Sequence, residues 1–168
     1  SDKMREIYRR RCSALSSTDP EEILSRYVEI HSGRVSRDAF AERYLGDAAQ
    51  DRGAREELFT LLEGNVYRMY MFTSCGWFFA DISGLEPVQN IRFAYKAIAL
   101  YRDYCEEDLY AILEEHLKKA KSNIPSRGNG ADILAHAGEE YLVGAEAAVY
   151  FFIILLETGS SPRENEYG

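Results

Sequence analysis

Apolar residues along this chain recur at steps of three and four, the spacing that places them on one face of an α-helix. Met4, Ile7, Tyr8 and Cys12 do so between Lys3 and Leu15. The run Ser16-Ser17-Thr18-Asp19-Pro20 breaks that pattern. Thr18 or Asp19 can accept from the first free amides of a new helix, and Pro20 suits its first position, where a missing N–H does no harm. That helix is expected to run through Ile23, Leu24, Tyr27, Val28 and Ile30 to about His31, with Gly33 as its stop. Ser36 predicts the cap of a shorter helix carrying Phe40 and Tyr44, which Gly46 ends.

From Gly53 to Ser74 the stripe Leu58, Leu61, Leu62, Val66, Met69, Phe72 and Thr73 predicts one long helix. Asn65 falls on or beside this stripe, so its amide is either buried with partners or turned toward a cleft. Leu85-Glu86-Pro87 opens another helix, with Val88, Ile91, Tyr95, Ile98 and Tyr101 on one side. An acidic stretch from Asp103 to Asp108 reads as a short break. Leu109, Ile112, Leu113, His116, Leu117 and Ala120 then resume the helical spacing. Lys121 to Gly130 is a loop, and Gly128-Asn129-Gly130 within it is a turn signal. Ala131 to about Leu156 is the last predicted helix. Its segment Val149 to Leu156 is apolar all round and belongs at the centre of a bundle. No strand-like alternation and no internal repeat occurs. The pattern predicts an all-α bundle of six to eight helices with short loops, one domain over residues 1–168 with an ordered core of about 4–158.

One stretch does not fit a plain helix. Tyr70 to Ser83, followed by Gly84, holds the only Trp, one of the three Cys and three of the eight Phe. Gly76 and Gly84 punctuate it, and a short helix is expected around Trp77 to Ile82. Thr73, Ser74, Cys75, Asp81 and Ser83 set polar atoms among the rings. Aromatic walls with a few placed polar groups are typical of pockets. A tight corner packed with buried aromatics would read the same way.

Composition narrows the function. A net charge of -8 disfavours nucleic acid and anionic membranes as partners, because both need a basic surface. The longest apolar run, Val149 to Leu156, is far shorter than the roughly 20 residues of a membrane span. Cys12, Cys75 and Cys105 form no Cys-x-x-Cys pair, which points away from zinc and disulfides and toward reduced thiols in a cytoplasmic protein. His31, His116 and His136 lack metal-ligand spacing, and no phosphate-cradling Gly loop occurs, so no cofactor or metal is expected. His116, on its apolar stripe, is expected in the core or at its boundary. Cys75 follows a helix rather than leading one, which is poor placement for a thiolate nucleophile. Asp81 and Glu86 are the only carboxylate pair considered for chemistry, and capping of the Pro87 helix is their simpler role. The chain opens without Met and reads as a C-terminal piece of a longer protein.

Met71-Phe72-Thr73-Ser74-Cys75-Gly76-Trp77-Phe78-Phe79, then Ile82-Ser83-Gly84-Leu85-Glu86 and Val88-Gln89, resembles the signature of a helical domain of unknown function (number 3536). Ala120-Lys121-Ser122-Asn123-Ile124-Pro125 resembles that family's loop, and Gly130-Ala131-Asp132-Ile133 the start of its last helix. Tyr27-Val28 to Phe40 resembles its first part, so the likeness covers about Ile23 to Glu157. Two positions depart. Ala80 stands where the family has an acidic residue, with Asp81 after it, and Val149-Tyr150 replaces a His-Tyr pair.

The resemblance implies a place C-terminal to a catalytic region of glycoside hydrolase family 57 type, whose two carboxylates sit on a separate barrel. This chain would then hold no catalytic residues. It would line the substrate cleft, with Trp77, Ser74, Cys75, Phe78, Asp81, Glu86 and Asn65 as candidate substrate-binding residues. Implied partners are its own N-terminal catalytic region and an α-glucan or oligosaccharide; a homo-oligomer is compatible. Two other readings stand beside this one. The chain is a structural or interaction module that touches no substrate, or an independent enzyme using Cys75 or the Asp81/Glu86 pair.

Overall fold

The computed structural model describes residues 1–78 and 81–137, with the backbone alone for Cys75 and Trp77. Seven helices are complete among them: α1 Asp2–Leu15, α2 Pro20–Arg26, α3 Val28–His31, α4 Arg37–Leu45, α5 Arg52–Tyr70, α6 Leu85–Tyr101 and α7 Leu109–Leu117. An eighth, α8, begins at 130 and is described to 137. Among the described residues the only β pairing is one isolated antiparallel bridge, Lys121 to Asn129. The fold is all-α, as the apolar spacing predicts. The segment Val149 to Leu156, expected at the centre, lies outside the described residues, as does the rest of the last helix.

Side-chain caps set three of the helix starts. Ser36 Oγ accepts from Ala39 N at 3.1 Å, and Asp108 Oδ1 from Ala111 N at 3.0 Å. Asp51 Oδ1 accepts from Gly53 N at 2.7 Å and Ala54 N at 3.4 Å, which pulls the start of α5 back from the expected Gly53 to Arg52. Each such cap stabilises its helix by about 1 kcal/mol.

Three boundaries differ from expectation. The helix drawn through to His31 divides at Tyr27, whose N–H is shared between the carbonyls of Ile23 and Leu24. The turn tightens there, and Val28, placed on the apolar stripe, is 62% exposed. The long helix ends at Tyr70, not Ser74, and passes through turns into a 3-10 helix at Ser74–Trp77. Met69 and Phe72 therefore leave the stripe and lie exposed. Of the short helix expected around Trp77 to Ile82, residues 79 and 80 lie outside the described residues; Trp77 ends the 3-10 turn, and 81–82 are not helical. In α7 the helix stops at Leu117, and His116, expected in the core or at its boundary, points to solvent.

The main core joins α1, α2, α4, α5 and the C-terminal end of α6. Tyr8, Cys12, Ile23, Phe40, Leu58, Leu61 and Leu62 are wholly buried there. Burying one large apolar side chain is worth about 1.5–3 kcal/mol. Tyr8 carries its hydroxyl inward and donates it to Pro20 O, so burial leaves no polar atom unsatisfied and pushes the phenol pKa well up. A smaller cluster gathers Ile91 of α6 with Leu134 and Ala137 of α8; Ile82, Tyr95, Leu113 and Leu117 pack on it. α6 is thus shared: its first half faces the small cluster and its last half the large one.

Asn65 settles its own ambiguity. It is wholly buried where α5 meets α6, and its Nδ2 donates to Tyr101 Oη at 2.8 Å and Leu61 O at 3.3 Å. Its Oδ1 accepts from Arg68 Nε at 2.9 Å, and Tyr101 Oη donates to Leu61 O at 3.0 Å. Gly64 lets this seam close: a Cβ there would lie 2.3 Å from Tyr101 Cε2.

Candidate functional site

Where α5 ends, the chain must turn and lie against α6. Asn90 of α6 makes that turn definite. Thr73 Oγ1 donates to Asn90 Oδ1 at 2.6 Å, and Asn90 Nδ2 donates back to Thr73 O at 3.0 Å. The backbone of Gly76 passes directly over this amide; a Cβ would sit 2.2 Å from Asn90 Nδ2. The corner is therefore a clamp that needs a glycine. Ser74 is exposed on it, and Phe78 is 82% exposed. The side chains of Trp77 and Cys75 lie outside the described part of the structure.

Past the corner, Asp81 is a second anchor. Its Oδ1 accepts from Ser83 N at 2.8 Å, Ser83 Oγ at 2.6 Å and Ser122 Oγ at 2.9 Å. Its Oδ2 accepts from Ser122 Oγ at 3.1 Å and from Asn123 N. Hydrogen bonds from Ser83, then from Asn123 and Ser122, favour the charged form and hold the carboxyl well below the usual range. A carboxylate so held stays ionised and is a poor proton donor. Nor does it cap α6, as the sequence suggested. The residue before α6 is Gly84, and the helix takes no side-chain cap. Asp81 folds back instead onto a loop 41 residues away. Glu86 sits half-buried in the first turn of α6, where a negative charge complements the helix dipole.

The loop that Asp81 holds is itself closed. Ser122 N donates to Gly128 O at 3.0 Å, and Gly130 N to Ala120 O at 2.8 Å. A 3-10 turn at Pro125–Arg127 forms its tip. Gly128 follows with φ 68° and ψ -123°, backbone that side chains oppose. A Cβ on Gly128 would also lie 2.1 Å from Asp132 Oδ2. Asn129 Oδ1 accepts from Ala131 N at 2.8 Å to start α8, and Asp132 Oδ2 accepts from Asn129 N at 2.8 Å.

Between this loop, α6 and α8 lies a cleft of about 620 Å³, within the size range of small-molecule sites. Ser83, Val88 and Arg92 form one wall, Pro125 to Gly128 the rim, and Asp132, Ile133, His136 and Ala137 the other wall. His136 Nδ1 lies 2.7 Å from Asp132 O. A carbonyl can only accept, so Nδ1 carries the proton and Nε2 is the lone-pair nitrogen of the neutral ring.

The predicted site residues do not all meet. Asn65 is locked in the α5–α6 seam. Ser74 and Phe78 belong to the clamp, and Asp81 holds Ser83 at the cleft wall. Arg92, Arg127, Asp132 and His136 were missed. Asp81-Ile82-Ser83 is a local side-chain-to-backbone turn that sequence can show, but its reach to Ser122 is a tertiary fact. Arg92 lies off the apolar stripe of α6, and Arg127 sits in a stretch read only as a turn.

The segments 82–89, 120–125 and 130–133, which carry the resemblance noted in the sequence, thus converge on one cleft. The family Domain of unknown function (DUF3536) matches residues 1–167. The chain belongs to this family. No curated protein and no solved structure matches it. Among the described residues of this family member, no group of three or more His, Cys, Asp or Glu is placed to hold a metal ion. No described helix is long and apolar enough to cross a membrane.

Proposed function

We propose that this DUF3536 chain is an accessory helical domain of a carbohydrate-active protein of glycoside hydrolase family 57 type. In this reading it stands beside a separate catalytic barrel and contributes the polar cleft between α6, the 121–129 loop and α8 to carbohydrate binding. The observation that carries the proposal is the convergence of three separate segments of the family resemblance on that cleft. Hydroxyls, guanidinium groups and an imidazole on an apolar floor suit the mixed faces of a sugar. Asp81 serves here as a positioning residue, because it ties Ser83 on one wall to the loop that makes the rim.

Addition of maltoheptaose to the 168-residue chain tests this. Amide shifts gathered at 83–92 and 125–136, with a change in the fluorescence of the only Trp, support it. An unshifted spectrum at millimolar glycan would overturn it. The exposed Met69, Tyr70, Phe72, Phe78 and Leu85 favour a second reading, a docking module without substrate contact. That reading predicts broadening at 69–78 when a catalytic region is added, and none at 125–136.

A further inference from the structure

Across all residues the formal charge is -8, yet among its described lining residues the cleft brings together Arg92 and Arg127 with one carboxylate, Asp132. That carboxylate already accepts from Asn129 N at 2.8 Å, beside the backbone of Gly128. Asp81 lies behind Ser83 and spends both oxygens on Ser83, Ser122 and Asn123. Among the described residues, the acidic groups nearest the cleft, Asp132 and Asp81, are therefore engaged with the protein's own donors. Arg127 differs. Among the described residues its guanidinium has no hydrogen-bond or ion-pair partner, and it stands exposed at the rim on a loop closed at both ends. Ser126 brings a hydroxyl beside it. A guanidinium fork matches two oxygens of a phosphate at once, and a hydroxyl supplies a further donor.

We propose that the cleft binds the phosphate of a phosphorylated sugar, with Arg127 as the principal anion contact. The sugar part rests on the carbohydrate reading above; the anion part does not. Arg127 and Ser126 engage the phosphate from the rim. Arg92, Ser83 and His136 face the sugar from the two walls.

The test is titration of the 168-residue chain, followed by amide chemical shifts, with glucose 6-phosphate, inorganic phosphate, glucose and glucuronate. Glucose 6-phosphate is expected to bind most tightly, with shifts at 126–128 and 136. Glucose should be weaker by about tenfold or more, the loss of one charge-assisted contact. Arg127→Ala should weaken glucose 6-phosphate by a similar factor and glucose by much less, while Arg127→Lys keeps part of the binding. Unperturbed amide positions over 1–65 show that each variant is folded. Equal affinity for glucose and glucose 6-phosphate, or for glucuronate and glucose 6-phosphate, overturns the phosphate preference. So does an Arg127→Ala chain that binds as the parent does. Inorganic phosphate bound at the rim without any sugar dependence leaves the anion site standing and removes the carbohydrate reading. No response to either phosphate probe overturns the anion site, whatever maltoheptaose does.

Discussion

The two halves of this molecule are held by different physics. Around α1, α2, α4 and α5 the cohesion is apolar: Tyr8, Phe40, Leu58, Leu61 and Leu62 are shut from water, and the one buried amide, Asn65, is fully paired. Around the cleft, among the described residues, the buried apolar cluster is smaller: Ile91, Leu134 and Ala137, with Ile82, Tyr95 and Leu113 packed on it. There, shape comes from hydrogen bonds of Asp81, Asn90 and Asn129 to backbone and hydroxyls. Apolar burial is insensitive to detail and large in sum. A web of short polar bonds is directional and small in net energy. The first half therefore supplies stability and the second supplies geometry.

Changes that cut each half should separate the two. Phe40→Ala, in the main core among Tyr27, Tyr44 and Phe59, should lower stability by about 3–5 kcal/mol, read as a large shift of the urea midpoint. Gly64→Ala comes next. Alanine favours a helix by about 1 kcal/mol, but its Cβ would drive into the ring of Tyr101. Overpacking there costs about 1–3 kcal/mol, so the variant should melt lower despite its better propensity. Tyr101→Phe removes the hydroxyl that joins Asn65 to Leu61 and should cost about 1–2 kcal/mol. A melting point unchanged in that variant would mean the seam is held by packing alone.

The smallest global effect is expected in the polar half. Asp81→Asn puts an amide where Ser83, Ser122 and Asn123 all donate. Amide exchange at 122–129 should quicken severalfold while the thermal midpoint hardly moves. The same bonds set a pH dependence. The Asp81 pKa is lowered in the folded state, so its contribution is complete above the ordinary carboxylate value of about 3.9 and fades as pH falls through the folded value. Exchange protection at Asn123 should be level from about pH 7 to 5 and lost only in strong acid. Loss already at pH 5–6 would show that Asp81 is not the anchor.

The same division explains what the sequence made legible. Periodicity found Met4, Ile7, Tyr8, Cys12, Leu58, Leu61 and Leu62 because burial follows helical spacing. It carried Met69 and Phe72 too far because nothing in spacing marks where Thr73 and Asn90 clamp the chain. Pro87 and Ser36 announced their helices by local chemistry. The cleft had no such signal. Arg92 looks like any off-stripe charge and Arg127 like any turn residue until Asp81 reaches across 41 residues to set the loop beside α6. Asn65 shows the limit from the other side: a polar residue on an apolar stripe was visible, and only its partners could say why it is there.

Gly128 gives the cleft rim a narrow tolerance for replacement. Gly46 has nearly the same backbone, φ 55° and ψ -126°, yet a side chain there would enter open space. A substitution at Gly46 meets one obstacle, the strained dihedral. At Gly128 it meets two, since the new carbon also strikes Asp132. In a library carrying every amino acid at every position, Gly46 should survive with a few weakened replacements, and Gly128 should be close to bare. The rim of the cleft would then be purged by selection more severely than a helix stop of the same shape, although it contributes far less to the stability of the whole.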